Sequence, residues 1–404
     1  MRVAIVAEWY PSPADPVLGI WAHRQAVAAR EAGADVRVIA LRRPLPPISA
    51  LRALLGSPPT AQPLRRWGAG VSGLMRSLEL DGVLVRSAPF VAPPRPWSYG
   101  SWGLWMAPPL RRALAAMRHE WPFDLVHAHN LLPPGHAAAR CLAGGDRVPL
   151  VVSTHGPDVI RDWDRSPVAR RATRRVLADA ALVVANSGWA QGRCETIAGR
   201  SLAGRVVHLG TDLPRGLPPK RERLTLVTVA HLIARKRHAV VLHALAALRE
   251  DVRPDYLVIG DGPGRGPLER LANQLGVARW VTFAGQLPHE RALAESRRCH
   301  LMVMPSVEEP FGVAFVEAMA AGLPAIGSRS EGGPQDIAAA GDGMLLVDPD
   351  DHRVLARTIE QAVERGLDDL GRRARATVEA NFTWDRCGCA TVEAYSAALE
   401  GKGA

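Results

Sequence analysis

The chain has 404 residues, 47% of them hydrophobic and 22% charged, a composition that excludes disorder for its bulk and a length that exceeds one ordinary core, so two domains are expected. Its five scattered cysteines, Cys141, Cys194, Cys299, Cys387 and Cys389, exclude a disulfide framework; no apolar run is long enough to span a membrane, and the one after Arg2 is too short for a secretory signal, so a cytoplasmic location is expected. The net charge of +10 sits in the first half: residues 1–200 carry 25 Arg and no Lys against 14 Asp and Glu, and the remainder is close to neutral. Such a half suits an anionic partner. No nucleic-acid-binding motif accompanies it, so an anionic membrane surface or lipid diphosphate stands beside an undirected Arg-rich surface.

Arg2–Ala7 is a near-continuous apolar run of buried-strand type, Ile20–Glu31 has helical spacing, and Asp35–Ala40 is a second strand, a βαβ opening. The intervening turn, Tyr10–Gly19, is rich in proline and sets Gly19 just before the helix, where backbone N–H groups can approach a ligand; a plain tight turn is the alternative. Residues 41–110 are the hardest to read, with many prolines and with Trp97, Tyr99, Trp102 and Trp105 between Arg95 and Arg111. This cluster suits a membrane interface or hydrophobic acceptor, or else packs on its own domain. Asp124–His129 is a strand with His127 and His129 on one face. No acidic or thiol partner follows at ligand spacing, so the pair is expected to line a strand end rather than hold a metal. Val148–Ser153 is the next strand and delivers Thr154-His155-Gly156-Pro157-Asp158 to the same edge; Ala181–Ala185 and Arg205–Leu209 continue the series to Asp212.

Pro214–Arg223, proline-rich and charged, reads as a linker. A second strand–helix series follows: strand Leu224–Ala230, loop His231–Arg237 and a helix to about Arg249, then strands Tyr256–Gly260 and Trp280–Gly285. Gly260, Gly262, Gly264 and Gly266 do not fit G-x-G-x-x-G, so NAD binding is not expected. His300–Gly327 organises the rest: strand Leu301–Met304, polar turn Pro305–Pro310, then Phe311, Phe315, Ala318, Met319 and Gly322 at helical spacing. Glu308 and Glu309 lie in the turn and Glu317 in the helix, which aims carboxylates at one crevice beside a helix start whose N–H groups welcome anionic oxygens. Ser328–Gly333, with paired glycines before a helix, can add N–H contacts, Met344–Val347 is a last strand, and helical patterns fill the tail from Asp350.

Glu309, Phe311, Gly312, Glu317, Ala318, Gly322 and Pro324 match an E-x7-E signature, and over nearly its whole length the chain resembles the retaining glycosyltransferases of family 4. The resemblance implies an α/β GT-B architecture, two Rossmann-like doubly wound parallel-sheet domains facing a central cleft. Residues 1–213 would be the acceptor domain, 214–382 the nucleotide-sugar donor domain, and 383–404, opened by Phe382-Thr383-Trp384, a helix packing back on the first. It implies that Glu309 holds donor-sugar hydroxyls and Glu317 the ribose, with Glu308, Pro310, Phe311, Gly312 and Val313 lining the donor. The family's R-x4-K loop, whose cations grip the diphosphate, is matched at Lys236, but His231 stands where Arg is usual. A neutral imidazole offers one donor where guanidinium offers five, so Arg235 or Arg237 is expected to substitute. Thr154–Asp158 matches the family's T-H-G-x-D segment, which makes His155 a candidate catalytic residue, and Gly19, His127, His129 and Asp158 are assigned to the acceptor. The N-terminal loop usually carries two adjacent glycines; here Leu18 replaces the first.

The implied reaction moves a sugar from a nucleotide-sugar donor to a saccharide, lipid-linked or small-molecule acceptor with retention, in surface polysaccharide or glycoconjugate synthesis at the inner face of a membrane. Fixed cations and helix N-termini can stabilise the departing diphosphate, so neither metal nor cofactor is expected. Two alternatives remain open: a nucleotide-sugar epimerase or hydrolase of the same fold, and a catalytically silent nucleotide-sugar-binding subunit.

Overall fold

The structure, a computed structural model, describes residues 1–13, 15–44, 77–143 and 148–401. Much of the hardest stretch, residues 45–76, and the Trp97 side chain lie outside the described residues. The chain forms two compact units, Met1–Asn186 with Ala190–Val207 and Cys387–Ala404, and Ser187–Trp189 with His208–Arg386.

The sheet of the first unit contains β1 (Arg2–Ala7), β2 (Asp35–Arg42), β3 (Leu78–Leu80), β4 (Val83–Pro89), β5 (Leu125–His129), β6 (Leu150–Thr154), β7 (Leu182–Ala185) and β8 (Gly204–Val206). Their order is β3-β4-β2-β1-β5-β6-β7-β8, parallel except for β3 against β4. Val3–Ala7 and Leu125–His129 are buried along their whole length, as strands covered on both faces must be, which is why they read as unbroken apolar runs. Sequence order reverses between β1 and β5, a switch point of the kind at which open α/β sheets gather ligands.

The sheet of the second unit contains β9 (Thr225–Val229), β10 (Asp255–Ile259), β11 (Val281–Gly285), β12 (Leu301–Val303), β13 (Ala325–Ser328) and β14 (Met344–Val347). Every neighbouring pair is parallel in the order β11-β10-β9-β12-β13-β14. Its switch point lies between β9 and β12, so the loop after β9, with Lys236, and the loop after β12, with Glu309, leave the sheet side by side. Leu226, Val258, Leu301 and Ile326 from four of these strands join Leu242, Leu245 and Leu355 from covering helices in one core.

Two readings of the sequence shift. Residues 41–110 contain β3, β4 and the start of a long helix, Trp102–Glu120, that runs through Pro108 and Pro109. Adjacent prolines look like a break, but each removes one helical hydrogen bond, and here they lie on the half-buried and exposed side of the helix. Tyr99 and Trp102 pack inward, while Trp105 is 48% exposed. The helix expected from Phe311 begins instead at Val313, because Gly312 caps it at φ +88°, a left-handed conformation that stops the helix two residues short.

Candidate active site

In the second unit, the loops after β9 and β12 tie themselves together. Val307 N donates to the Arg235 carbonyl at 2.8 Å, and Arg235 Nη1 donates to the Glu308 carbonyl at 3.2 Å. Glu308 takes φ +54°. That twist turns the exposed Glu308 side chain out while Glu309 turns in, 8% exposed. Lys236 Nζ forms an ion pair with Glu309 Oε2, which also accepts from Ser306 Oγ at 3.2 Å. The Glu309 backbone is fixed as firmly: its N–H donates to Glu331 Oε2 at 2.8 Å, and its carbonyl accepts from Gly333 N at 3.4 Å. Glu309 therefore sits between the starts of two helices, Val313–Ala320 and Gly332–Ala340.

The glycines here have little choice. A Cβ on Gly312 would come within 2.5 Å of the Phe315 ring, and one on Gly333 would collide with the Phe311 carbonyl. Pro310 and Val313 are half-buried and Phe311 is buried; the Phe311 ring stacks on His208, 5.6 Å between centroids, and His208 is anchored to Asp336 at 3.1 Å. Glu317 follows on the same helix with its side chain 20% exposed. Burial pushes its carboxyl up to about 7, with Asp212 adding to the shift and Arg297 opposing it. Of the other cations in the loop after β9, Arg237 is turned to Asp350 at 3.0 Å, which leaves Arg235 as the one directed at the Glu308–Glu309 loop. His231 is exposed.

In the first unit, His155 stacks on His129 at 5.2 Å and shares a hydrogen bond with it, His155 Nε2 to His129 Nδ1, 2.9 Å. Gly19 caps helix Ile20–Glu31 at φ +73°, and a Cβ there would strike the Trp9 carbonyl, so the residue is fixed by a close backbone approach.

Two of the residues expected at the acceptor are engaged by the protein itself. His127 is fully buried, with Nδ1 on the Tyr395 hydroxyl at 2.8 Å and Nε2 on Ser153 Oγ at 2.6 Å. Both ring nitrogens are occupied by protein partners, and the ring packs as a core group. Asp158 is 2% exposed: Oδ1 accepts from Thr154 Oγ1 at 2.9 Å, His155 N at 3.3 Å and Gly156 N at 3.0 Å, and Oδ2 from Leu131 N at 3.1 Å. It fastens the loop that carries His155, with both oxygens engaged by the protein.

Sequence reasoning missed Ser306 and Glu331, the partners that orient Glu309. Glu331-Gly332-Gly333 does repeat the pattern of a carboxylate before a glycine-marked helix start, and that was the available signal. Among the described residues no group of three or more His, Cys, Asp or Glu is placed to hold a metal ion, and no helix is long and apolar enough to cross a membrane.

Residues 18–215 match the model of Glycosyltransferase Family 4, and residues 211–379 that of Glycosyl transferases group 1. The chain is 32% identical over 269 residues to the GDP-mannose-dependent alpha-(1-6)-phosphatidylinositol monomannoside mannosyltransferase of Mycobacterium tuberculosis, covering 60% of this chain and 68% of that protein. It is 27% identical over 425 residues to glycogen synthase of the same organism, covering 100% of this chain and 96% of that one. Among solved structures it resembles sucrose-phosphate synthase from Thermosynechococcus elongatus, TM-score 0.73 at 20% identity over 98% of both chains. It also resembles Anabaena HepE in complex with UDP, TM-score 0.70 at 19% identity over 98% of this chain and 100% of that one.

Two α/β units, one sheet parallel throughout and the other parallel but for β3, with this likeness define a GT-B glycosyltransferase, an enzyme that moves sugar from a nucleotide-sugar donor. Within that class the chain belongs to glycosyltransferase family 4.

Proposed function

We propose that the chain transfers a hexose from a nucleoside diphosphate sugar to a saccharide or lipid-linked acceptor with retention of configuration, and that the pocket around Lys236 and Glu309 holds the donor. The single observation that carries this is the convergence of Lys236, Arg235 and Glu309 at the switch point between β9 and β12, against the start of helix Val313–Ala320. Lys236, Arg235 and the first N–H groups of that helix take the diphosphate and stabilise the charge that grows as the bond to the anomeric carbon breaks. No metal or other cofactor is required for that step. Glu309 accepts hydrogen bonds from sugar hydroxyls, a charged acceptor making the stronger bond. Glu317, its carboxyl pushed up to about 7 by burial, accepts from the ribose hydroxyls and in its protonated form also gives to them. In the first unit, His155 and Gly19 are assigned to sugar hydroxyls. The acceptor oxygen bonds the anomeric carbon on the face the leaving group vacates, and its proton passes to the departing phosphate oxygen, so charge and atoms balance.

The test is release of nucleoside diphosphate from a panel of UDP-, GDP- and ADP-sugars, with and without EDTA. GDP-mannose comes first because the mycobacterial relative is named for that donor. The expected result is cleavage of one donor, unchanged by EDTA and reduced about 10²-fold or more in Lys236→Ala and in Glu309→Ala. Nucleotide binding without cleavage of any donor, even with acceptors added, supports a silent subunit. Sugar turnover indifferent to every second substrate supports an epimerase or hydrolase.

The same reading sets the protein at the cytoplasmic face of an anionic membrane, in surface polysaccharide or glycoconjugate assembly. Its support is that the first unit exposes Leu104 and Trp105, 42% and 48%, at the start of helix Trp102–Glu120 and Val168, 50%, at the start of helix Pro167–Asp179, with exposed Arg112 and Arg171 on the same two helices. Gly100 packs on Ala169, 2.7 Å from where its Cβ would stand, so the two helix starts adjoin. Sedimentation with anionic but not neutral liposomes, weakened in Trp105→Ala and Arg171→Glu, is expected; no sedimentation with anionic liposomes rules the membrane location out.

A further inference from the structure

The first sheet has its own switch point, between β1 and β5, and most of the side chains gathered there have no part in the donor chemistry above. β1 ends at Ala7, and the next two residues, Glu8 and Trp9, are half-buried. Tyr99, 3% exposed, donates its hydroxyl to Glu8 Oε2 at 3.0 Å. The Arg95 guanidinium lies 4.1 Å from the Tyr99 ring centroid and 5.1 Å from that of Trp9, so two aromatic faces hold a cation beside the carboxyl. Trp9 meets Trp21 edge to face at 5.9 Å, and Trp21 meets His155 at 5.9 Å. Glu8, Trp9, Trp21, His155 and His129 thus form one continuous row.

Three polar atoms in that row are buried and have no hydrogen-bond partner among the described residues: Trp21 Nε1, His155 Nδ1 and His129 Nε2. Native chains rarely leave such atoms empty unless a ligand or water completes them. Their chemistry can be read further. Burial holds both imidazoles neutral, pushing His155 down to about 3 and His129 well below its ordinary value. Each neutral ring has one N–H and one lone pair, and the two share one hydrogen bond, so whichever ring donates in it, their two outer nitrogens are one donor and one acceptor. Trp21 Nε1 adds a donor, and Glu8 adds an acceptor at the far end.

Mixed donors and acceptors beside aromatic faces complement a sugar ring, whose hydroxyls both give and accept and whose C–H face packs on indole. They do not complement a phosphate, which only accepts. We propose that this row is a saccharide subsite of the first unit: a neutral pyranose lies on Trp9, Glu8 holds one of its hydroxyls and selects it, and Trp21 Nε1 and His155 Nδ1 reach its neighbours. Tyr99 and Arg95 are positioning residues that set the Glu8 carboxyl. Only in calling the bound saccharide the acceptor does this rest on the transferase reading. The carboxyl itself is pushed up to about 7, first by burial and further by Asp162, against Arg95 and the hydrogen bonds of Tyr99 and Trp9. Asp162 is in turn paired with Arg165 at 3.1 Å.

The experiment is saturation-transfer NMR on the full chain with methyl α-mannoside, methyl α-glucoside and inositol 1-phosphate, each titrated with and without GDP or UDP. A neutral glycoside is expected to bind through one ring face, with affinity about tenfold lower or worse in Glu8→Gln and Trp9→Ala and nearly restored in Trp9→Phe. Nucleotide affinity and acceptor-free donor hydrolysis are expected to stay within about twofold of wild type in these variants, which separates this subsite from the donor site. Saccharide affinity is also expected to change through about pH 7 in wild type and to be flat in Glu8→Gln. Binding of inositol 1-phosphate alone, binding of no neutral glycoside, or unchanged glycoside affinity in Glu8→Gln and Trp9→Ala would each overturn the proposal. Failure of the wild type to cleave any donor, with acceptors added, while glycoside binding follows these variants would instead sink the transferase reading and leave the subsite standing.

Discussion

Lys236 Nζ and Glu309 Oε2 form an ion pair whose side chains are 12% and 10% exposed. They come from loops after two strands adjacent in the sheet and 73 residues apart in sequence. Each is therefore the other's counter-charge while no substrate is bound. Removing one partner strands a nearly buried charge, which costs about 3–5 kcal/mol where burial is complete. Lys236→Met and Glu309→Gln should each lower stability, and the double variant should be less destabilised than the sum of the two; chemical denaturation of all four proteins measures the coupling. Additive losses would mean that the pair is incidental.

Glu317 makes the second prediction, and its sign is fixed by burial. Its carboxyl rises from an ordinary 4.5 to about 7 in the folded chain. Its favourable share of stability is thus complete below 4.5 and is lost as pH climbs through 7, where the folded chain must bury a charge. Glu317→Gln does not titrate, so above about pH 7 it should exceed wild type by up to about 3 kcal/mol relative to their difference near pH 4.5. Thermal melts of the nucleotide-free protein at both ends of that range decide it, and a difference independent of pH would refute the burial argument.

Gly333 lies against the Phe311 carbonyl so closely that a methyl group cannot fit. Gly333→Ala must push either the Phe311 backbone or its own helix start aside, and both frame Glu309. Nucleotide affinity is expected to fall about tenfold or more, with a stability loss of about 1–3 kcal/mol. Gly276→Ala is the comparison, since its Cβ would meet nothing within 4 Å and it differs only by backbone strain at φ +68°. Equal affinities in the two variants would argue against the frame.

Asp158 is the fourth. Both of its oxygens face donors, Leu131 N on one side and Thr154, His155 and Gly156 on the other. Asn at this position must turn an N–H group toward one of them, so Asp158→Asn should cost about 2–4 kcal/mol and loosen the loop that carries His155. Hydrogen exchange at Leu131 and Gly156 is the sensitive readout, with faster exchange at both expected; unchanged protection would return Asp158 to the list of ligand contacts.

The strand–helix alternation was legible in the sequence because buried parallel strands carry apolar residues on both faces. Arg2–Ala7 and Met344–Val347 coincide with observed strands to the residue. The loop and helix that carry Glu309 and Glu317 were legible because Phe315, Ala318 and Met319 recur at helical spacing after a polar turn. What escaped was tertiary. Nothing local to Asp158 says that the N–H of Leu131, 27 residues away, will occupy it. His127 looked available because alternation places it beside His129; only Tyr395, 268 positions on, fills its remaining nitrogen. Glu8 was invisible as a site because one carboxylate after a strand has no pattern, and its environment comes from Arg95 and Tyr99.

The residues from Cys387 onward belong to the first unit although the whole second unit precedes them in the chain. Gly388 lies directly on the Ala28 carbonyl, Thr391 Oγ1 accepts from Gln25 at 3.0 Å, and Tyr395 closes over His127. A ribosome that has made the first two hundred residues has therefore not yet made the piece that seals them. During synthesis the first unit waits, with its central strand and histidine uncovered on one side, until the residues from Cys387 emerge, so losing that segment would injure the first unit more than the second.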